Sequence, residues 1–199
     1  DAAVLRRVRK KYRLPEKFIL YVGDVNYNKN VLGLVAASKK VGLPVVIVGR
    51  QAAQEDFDKI HQENQPFVQL IKLYENDPAV LRIGFVPEAD LVVIYNLAAV
   101  YCQPSLYEGF GLPVLEAMAC GCPVVASNRA SLPEICGQAV VVVEPMVGGI
   151  TKGIKKALVG GQALVEKGFA QSRQFSWQKT AKETIKVYEK VFREKQKNS

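Results

Sequence analysis

Short apolar runs recur along the chain, and each is followed by glycine, proline or a segment with helical spacing. Six of these runs predict strands, at 18–22, 45–48, 80–86, 98–103, 123–126 and 139–143. Most are apolar at every position, which is typical of strands buried on both faces of a sheet. Because helical segments alternate with them, the pattern indicates an α/β fold, a Rossmann-like doubly wound parallel sheet of about six strands.

The segments between these runs have the boundary residues of helices. Predicted helices occupy 2–13, 29–41, 53–74 with an interruption at Pro66, a segment after Pro87, 113–121, and the chain beyond residue 143. Ser131-Leu-Pro-Glu134 has the spacing of a capping box, so Glu134 is expected to be structural. In a doubly wound sheet, ligands bind at the carboxyl ends of the strands. Gly23, Gly49, Phe85-Val86 and the loop at 104–111 lie at those ends, where we expect the binding chemistry.

Composition narrows the class of protein. The chain has 199 residues, 49% of them apolar and 23% charged, which suits one substantial core in an ordinary soluble domain. No apolar run reaches the roughly 20 residues of a membrane span, and no signal peptide is visible. Residue 1 is Asp rather than Met. We therefore expect a cytosolic protein, present as a processed chain or a cut fragment.

The formal net charge of +8 is concentrated near the two ends, in basic runs at 6–13 and from Lys182 onward. Both runs fall on predicted helices. Two interpretations stay open: a solvated helical face, or attraction to anionic lipid or a charged substrate. Binding to nucleic acid is disfavoured, because the basic residues lack interleaved aromatics and no known binding signature is present.

Neither the cysteines nor the acidic pairs favour metal chemistry. The four cysteines are Cys102, Cys120, Cys122 and Cys136. Most fall in apolar segments, and we interpret all four as reduced core thiols. The Cys120-Gly-Cys122 spacing is wrong for a zinc knuckle, and His61 is the only histidine of the sequence. Glu88 and Asp90 faintly resemble an acidic metal-binding pair, but acids are favoured at a helix start in any case.

A glycine turn followed by a short apolar helix is the most informative stretch. The turn is Glu108-Gly-Phe-Gly111, and the helix is opened by Pro113 and closed by Gly121. Free N–H groups and the helix dipole make its start a ready site for an anion. Glu116 is the single charge of this helix, so we expect it to meet a ligand or to be a satisfied core carboxylate. Glu108 either faces the same ligand or partners the helix dipole.

This stretch closely resembles the signature of a known enzyme family. Glu108-Gly-Phe-Gly-Leu-Pro-Val-Leu-Glu116 resembles the E-x7-E motif of retaining glycosyltransferases with the GT-B fold, in the large group 1 (GT4) family. Further similarities follow in the family's order over almost the whole chain, at 20–30, 45–49, 82–87 and 131–134. Their order and spacing together make the resemblance specific.

The resemblance implies a role for each matching residue. Glu116 would bind the ribose of a nucleotide-sugar donor, Glu108 would lie against the donor sugar, and Lys29 would neutralise the diphosphate. Glu108 and Lys29 would be the catalytic residues. The other donor-binding positions would be Gly23, Asp24, Val86, Gly109, Phe110, Gly111 and Leu112. No metal and no other cofactor is implied.

One position departs from the family pattern. Asp24 stands where many members carry arginine, five residues before the lysine. Either Lys29 and the helix amides hold the diphosphate alone, or a basic residue from elsewhere helps. Arg50 and Arg129 are the candidates for that second role.

The resemblance covers one half of a two-domain enzyme. It implies a single nucleotide-sugar-binding domain at 1–199, with a linker helix at 1–16, a core at 17–175 and a C-terminal helix at 176–199. That last helix would cross to a missing N-terminal acceptor-binding domain. Its apolar residues would form an exposed patch or else pack on this domain's own sheet. They include Trp177, Val187, Tyr188 and Phe192.

The implied function is that of the donor-binding domain of a retaining hexosyltransferase. It would transfer a mannosyl, glucosyl or similar group from a nucleotide-diphosphate sugar such as GDP-mannose or UDP-glucose. The fragment alone is expected to be inactive, and the full enzyme to be cytoplasmic or in peripheral contact with a membrane. An alternative is a non-catalytic nucleotide-sugar-binding subunit that acts with a separate acceptor-binding chain. An epimerase of similar architecture is disfavoured, because it would need histidine and acidic residues that this chain lacks.

Overall fold

The computed structural model describes residues 1–197, so the last two positions of the predicted 176–199 helix lie outside the described part. The strands are β1 (Ile19–Val22), β2 (Val45–Val48), β3 (Val80–Gly84), β4 (Val100–Gln103), β5 (Val124–Ser127) and β6 (Val141–Val143). The helices are α1 (Ala2–Lys11), α2 (Val31–Val41), α3 (Gln65–Tyr74), α4 (Glu88–Leu97), α5 (Leu112–Ala119), α6 (Leu132–Cys136), α7 (Val147–Val159), α8 (Gly161–Ser172) and α9 (Trp177–Lys197). Single 3-10 turns lie at Tyr27–Lys29, Gln51–Ala53 and Gln62–Asn64.

Across residues 1–197 the six strands form one parallel sheet in the order β3-β2-β1-β4-β5-β6. β1 pairs with β2 on one side and with β4 on the other, so the strand order reverses between β1 and β4. The connection after β1 leads to α2 on one face of the sheet, and the connection after β4 leads to α5 on the other. Ligands bind at the carboxyl edge of the sheet beside such a switch point. The predicted doubly wound α/β fold is confirmed.

The helices cover both faces of the sheet, because successive side chains of a strand alternate between two buried clusters. Leu20 and Tyr101 belong to the cluster that includes residues of α4, α5 and α6. Their neighbours Ile19 and Cys102 belong to the cluster formed with α2, α3 and α7. All four side chains are fully buried. Burial on both faces is the reason that the strands read as uninterrupted apolar runs.

Several predicted boundaries differ from the structure, and two of the differences show how the backbone sets them. The predicted helix at 53–74 contains an irregular stretch and a 3-10 turn, and α3 has Pro66 in its first turn. Proline lacks an N–H donor and its φ suits that position, so Pro66 begins a helix rather than interrupting one. β3 ends at Gly84 and not at the predicted Val86, because Gly84 has a φ of +66°, outside the extended region.

Asp90 attaches the first helix to the domain. Its carboxylate is almost buried and accepts hydrogen bonds from Lys11 Nζ at 2.6 Å, Tyr12 Oη at 2.9 Å and Arg7 Nη2 at 3.3 Å. The hydrogen bonds from Lys11 and Tyr12 lower the pKa of Asp90 from its ordinary value. Part of the basic run at 6–13 therefore packs α1 against α4 and is more than a solvated face. Both oxygens of Asp90, one half of the acidic pair, are engaged by these donors.

The last helix leaves its apolar residues uncovered. Four residues of α9 have large exposed fractions: Trp177 74%, Val187 59%, Tyr188 70% and Phe192 62%. The alternative that they pack on the domain's own sheet is wrong, and the expected exposed patch is confirmed. Among the described helices, none is both long enough and apolar enough to cross a membrane.

We expect Asp90→Asn to lower the melting temperature at pH 7, because Lys11 and Arg7 lose the charge that holds them. The pKa of Asp90 is lowered in the folded state, so its stabilisation is present above the unfolded pKa of about 3.9 and is lost as the pH falls through the folded value. Thermal unfolding at pH 7 and at about pH 3 should show a gap from wild type that narrows in acid. Glu88→Gln, an exposed acid on the same helix, is the control. A gap that widens in acid would contradict this account.

Candidate active site

The loops after β1 and β4 meet at the switch point. The Leu106 amide donates to the Asn28 carbonyl oxygen at 2.7 Å, and Asn28 Nδ2 donates to the Tyr107 carbonyl oxygen at 3.2 Å. Asn30 Nδ2 adds a third link, to the Pro104 carbonyl oxygen at 3.0 Å. Because β1 and β4 are adjacent and parallel, their following loops leave the same edge of the sheet and can be joined in this way.

Lys29 and Glu108, the two residues predicted to be catalytic, form an ion pair across these loops. Lys29 Nζ lies 2.9 Å from Glu108 Oε1 and 2.8 Å from Oε2. The side chains are 23% and 10% exposed, so the pair is shielded from bulk water on most sides. A shielded cation at the carboxyl edge of a parallel sheet can bind an anion, provided that Glu108 releases it.

Gln103 and Ser105 also hold the Glu108 carboxylate. Gln103 Nε2 donates to Glu108 Oε1 at 2.8 Å, and Ser105 Oγ donates to the same oxygen at 2.7 Å. The hydrogen bonds described for the Glu108 side chain thus come from Lys29, Gln103 and Ser105. The sequence interpretation missed the last two of these donors. Its available signal was a polar residue, Gln103, at the carboxyl end of an apolar strand.

The glycine turn is fixed from behind by Ser131. Ser131 Oγ lies 2.9 Å from the carbonyl oxygens of both Glu108 and Phe110, which share its single hydrogen as acceptors. The predicted capping box is wrong, because Ser131 stands before α6 with a helical φ of −73° and makes no capping hydrogen bond. Its hydroxyl holds the glycine turn instead, and Glu134 is exposed.

Gly111 allows the turn to enter α5. It has a φ of +106°, a conformation that side chains rarely adopt, and an added Cβ would lie 2.8 Å from Leu132 Cδ2. Gly109 and Phe110 are exposed beside it, and Leu112 is the first residue of α5. The Leu112 amide belongs to the first turn of α5, where N–H groups have no intrahelical partner, and positions 109–111 directly precede that turn. The predicted positions 109–112 thus lie at a helix start, which favours an anion.

Glu116 lies on the third position after Pro113 but is not the buried carboxylate that the sequence suggested. The residue is exposed, and its Oε2 accepts a hydrogen bond of 2.9 Å from the hydroxyl of Tyr95 in α4. Burial and the nearby negative charge of Glu116 raise the pKa of Tyr95. The partner that the sequence interpretation sought in a ligand is thus supplied partly by Tyr95. Among the described residues, Tyr95 alone hydrogen-bonds to this carboxylate, through Oε2, which leaves Oε1 for a ligand.

The remaining predicted donor-binding residues surround the same edge. Gly23 has a φ of +144° at the end of β1, and the Asp24 side chain after it is exposed. The hydroxyl of Tyr21 donates to the backbone carbonyl of Asp24 at 2.7 Å. Val86 is buried, whereas its neighbour Phe85 is 63% exposed.

The two arginines suggested as replacements for the arginine absent at position 24 have other contacts. Arg129 Nη2 lies 2.8 Å from Glu144 Oε2 in an exposed ion pair. The guanidinium of Arg50 lies 5.3 Å from the centre of the exposed Phe85 ring. Within the described residues, Lys29 is therefore the cation that contacts the glycine-turn loop directly.

The four cysteines are free thiols, as expected. Cys102, Cys122 and Cys136 are buried, and Cys120 is half-buried. Burial raises the pKa of Cys122 and of Cys136 to about 12, so both thiols stay protonated at neutral pH. None of the described residues forms a group of three histidine, cysteine or acidic side chains that could hold a metal ion.

A cavity of about 500 Å³ lies beside the candidate site, between the loop after β1 and the first turn of α3. Its lining includes Tyr27, Gln65 and Leu106, but none of the predicted site residues.

Comparison with known proteins gives one consistent result. The family profile described as "Glycosyl transferases group 1" matches residues 6–167. O-antigen chain mannosyltransferase B of Escherichia coli is 34% identical over 192 residues, which covers 91% of this chain and 48% of that protein. MMP alpha-(1->4)-mannosyltransferase of Mycolicibacterium hassiacum is 40% identical over 138 residues, which covers 65% of this chain and 34% of that protein.

Solved structures agree on the architecture. Sucrose-phosphate synthase from Thermosynechococcus elongatus has a TM-score of 0.75 at 26% identity, covering 94% of this chain and 49% of that one. A glycosyltransferase from Rickettsia africae shares the fold, with a TM-score of 0.77 at 18% identity over 96% of this chain and 52% of that one. The chain spans about half or less of the length of the curated relatives it matches.

We expect Gly111→Ala to lower the free energy of unfolding by about 1–3 kcal/mol, because alanine is strained at this φ and its Cβ crowds Leu132. Gly109→Ala is the matched control in the same turn, since a Cβ there would meet no atom within 4 Å. Denaturant unfolding of both variants measures the difference. Equal stability of the two variants would show that the turn does not depend on the backbone conformation of Gly111.

Proposed function

The chain belongs to the glycosyl transferases group 1 family, and from this premise we propose that it is the donor-binding half of a retaining hexosyltransferase. The donor is a nucleotide-diphosphate sugar. The observation that carries the proposal is the shielded Lys29–Glu108 pair, which stands at the switch point beside the glycine turn and the start of α5.

In this proposal Lys29 and the helix amides act on the leaving group. Departure of a nucleoside diphosphate builds negative charge on its phosphate oxygens, which a fixed ammonium and free N–H groups stabilise. Lys29 supplies the ammonium, and the amides at 109–112 supply the N–H groups together with the dipole of α5. Because this positive charge comes from the protein, the proposed reaction needs no metal ion.

The two glutamates divide the rest of the donor between them. Glu116 accepts hydrogen bonds from the ribose hydroxyls, with one oxygen kept in place by Tyr95. Glu108 accepts a hydrogen bond from a hydroxyl of the donor sugar, close to the reacting carbon. Gly23, Asp24 and Val86 complete the donor surface at the ends of β1 and β3.

The mannosyltransferases among the relatives favour a mannosyl donor such as GDP-mannose, and UDP-glucose is the second candidate. The chain spans half or less of these relatives, so we propose that an acceptor-binding domain completes the site. The exposed apolar residues of α9 are the surface that we assign to it. The alternative is a non-catalytic subunit of the same binding specificity. Sugar transfer after an acceptor-binding domain is added would support the enzyme, and its absence would support the subunit.

We expect the chain to bind GDP or UDP with a dissociation constant of about 1 mM or below. The physical reason is the combination of Lys29 with the amides at the start of α5. Calorimetric titration with each nucleotide measures it directly. Absence of binding by both at millimolar concentrations would count against the proposed function.

We expect two glutamate variants to distinguish binding of the ribose from binding of the donor sugar. Glu116→Gln should weaken GDP and GDP-mannose alike, by roughly tenfold, since a hydrogen bond to a charged group contributes about 1.5–3 kcal/mol. Glu108→Gln should leave GDP affinity unweakened, because it releases Lys29, but should reduce the preference for GDP-mannose. Glu134→Gln, an exposed acid on α6, is the control. If both site variants bind both ligands as the wild type does, the assigned roles are wrong.

A further inference from the structure

Tyr101, Gln103 and Ser105 form a buried hydrogen-bonded row behind Glu108. Tyr101 and Ser105 are fully buried, and Gln103 is 2% exposed. The hydroxyl of Tyr101 donates to Gln103 Oε1. The Glu108 carboxylate fixes the orientation of the amide, because it only accepts hydrogen bonds and a flipped amide would set Gln103 Oε1 against Glu108 Oε1. Gln103 Nε2 is therefore directed toward the active site.

The donors and acceptors of this row are matched. The two hydrogens of Gln103 Nε2 go to Ser105 Oγ and to Glu108 Oε1, each at 2.8 Å. Ser105 Oγ accepts one of them and donates its own hydrogen to Glu108 Oε1 at 2.7 Å. Charge-assisted hydrogen bonds of this length, shielded from water, are among the stronger polar interactions in proteins.

The row makes the two oxygens of Glu108 unequal. Oε1 accepts from Gln103, Ser105 and Lys29, whereas the bonds described for Oε2 come from Lys29 alone. When Lys29 leaves the carboxylate, Oε1 keeps two neutral donors and Oε2 loses its partner. A shielded carboxylate oxygen without a partner is unfavourable, so whatever removes Lys29 must also supply a donor to Oε2.

We propose that Gln103 is a positioning residue, which holds Glu108 Oε1 while Lys29 moves to the donor diphosphate and thereby presents Oε2 to a hydroxyl of the donor sugar. This inference rests on the proposed function. A nucleotide sugar provides partners for both groups, because its diphosphate pairs with Lys29 and its sugar hydroxyl donates to Glu108 Oε2. The nucleoside diphosphate alone pairs with Lys29 but leaves Oε2 without a hydrogen-bond donor. The exchange therefore favours binding of the nucleotide sugar and release of the nucleotide product.

The test is the ratio of the GDP dissociation constant to that of GDP-mannose, with UDP and UDP-glucose as a second pair. Gln103→Met keeps the length of the side chain but removes its hydrogen bonds. We expect the ratio to fall by about tenfold, through weaker binding of the nucleotide sugar, while nucleotide affinity stays within about twofold. A purely structural role would weaken both ligands equally. An equal loss therefore overturns the proposal, as does a ratio unchanged from wild type.

Two further variants keep the test decisive. Gln171→Met is the matched control, because its half-buried amide donates to the Ile135 carbonyl oxygen at 2.8 Å away from the site. It should leave the ratio unchanged.

If Gln103→Met does not fold, Ser105→Ala removes the other neutral donor to Oε1 with less disturbance. It must lower the ratio in the same way. Failure of the wild type to bind any of the four ligands would remove the proposed function, and this inference with it. Wild-type binding with an unaltered ratio in the variants would overturn the inference alone.

Discussion

The Lys29–Glu108 ion pair is the interaction on which the candidate site depends. It joins two residues that are 79 positions apart in the sequence and lie on either side of the switch point. An ammonium and a carboxylate that are mostly shielded from water are each unfavourable alone, so the pair brings the two loops together. In the proposed function, the same constraint governs donor binding. An anion can bind Lys29 only if the Glu108 carboxylate keeps other hydrogen-bond donors. The hydrogen bonds to Glu108 therefore matter as much as the charge of Lys29.

Much of the fold could be predicted from local patterns. Apolar runs that are buried on both faces revealed all six strands of the described part, and their alternation with helices implied the parallel sheet. A ligand site at the carboxyl edge follows from that topology, and the loop that contains Glu108 was expected there. The assignment of Lys29 to the same site came from the family resemblance. Glycine and proline marked the start of α5 correctly. They misled at Pro66, where the same residue type fits either a helix start or an interruption.

The contacts that complete the site could not be read from local patterns, because they join side chains from separate elements. Tyr95 and Glu116 meet only after α4 and α5 pack on the same face of the sheet. Ser131 has the spacing of a helix cap, yet its hydroxyl donates a hydrogen bond to the backbone carbonyl of Glu108. Asp90 looked like half of a metal-binding pair, and α1 supplies its cations instead. In each case the partner comes from an element that is distant in the sequence.

The central claim is that Lys29 exchanges Glu108 for the diphosphate of a donor. A crystal structure of this chain with bound GDP-mannose, or with UDP-glucose if that ligand binds better, tests it most directly. We expect Lys29 Nζ within hydrogen-bond distance of a phosphate oxygen. We also expect Glu108 Oε1 to keep its hydrogen bonds from Gln103 and Ser105, and Glu108 Oε2 to accept one from a sugar hydroxyl. A donor bound at this site with Lys29 still paired to Glu108 Oε2, or bound elsewhere on the domain, would contradict the claim.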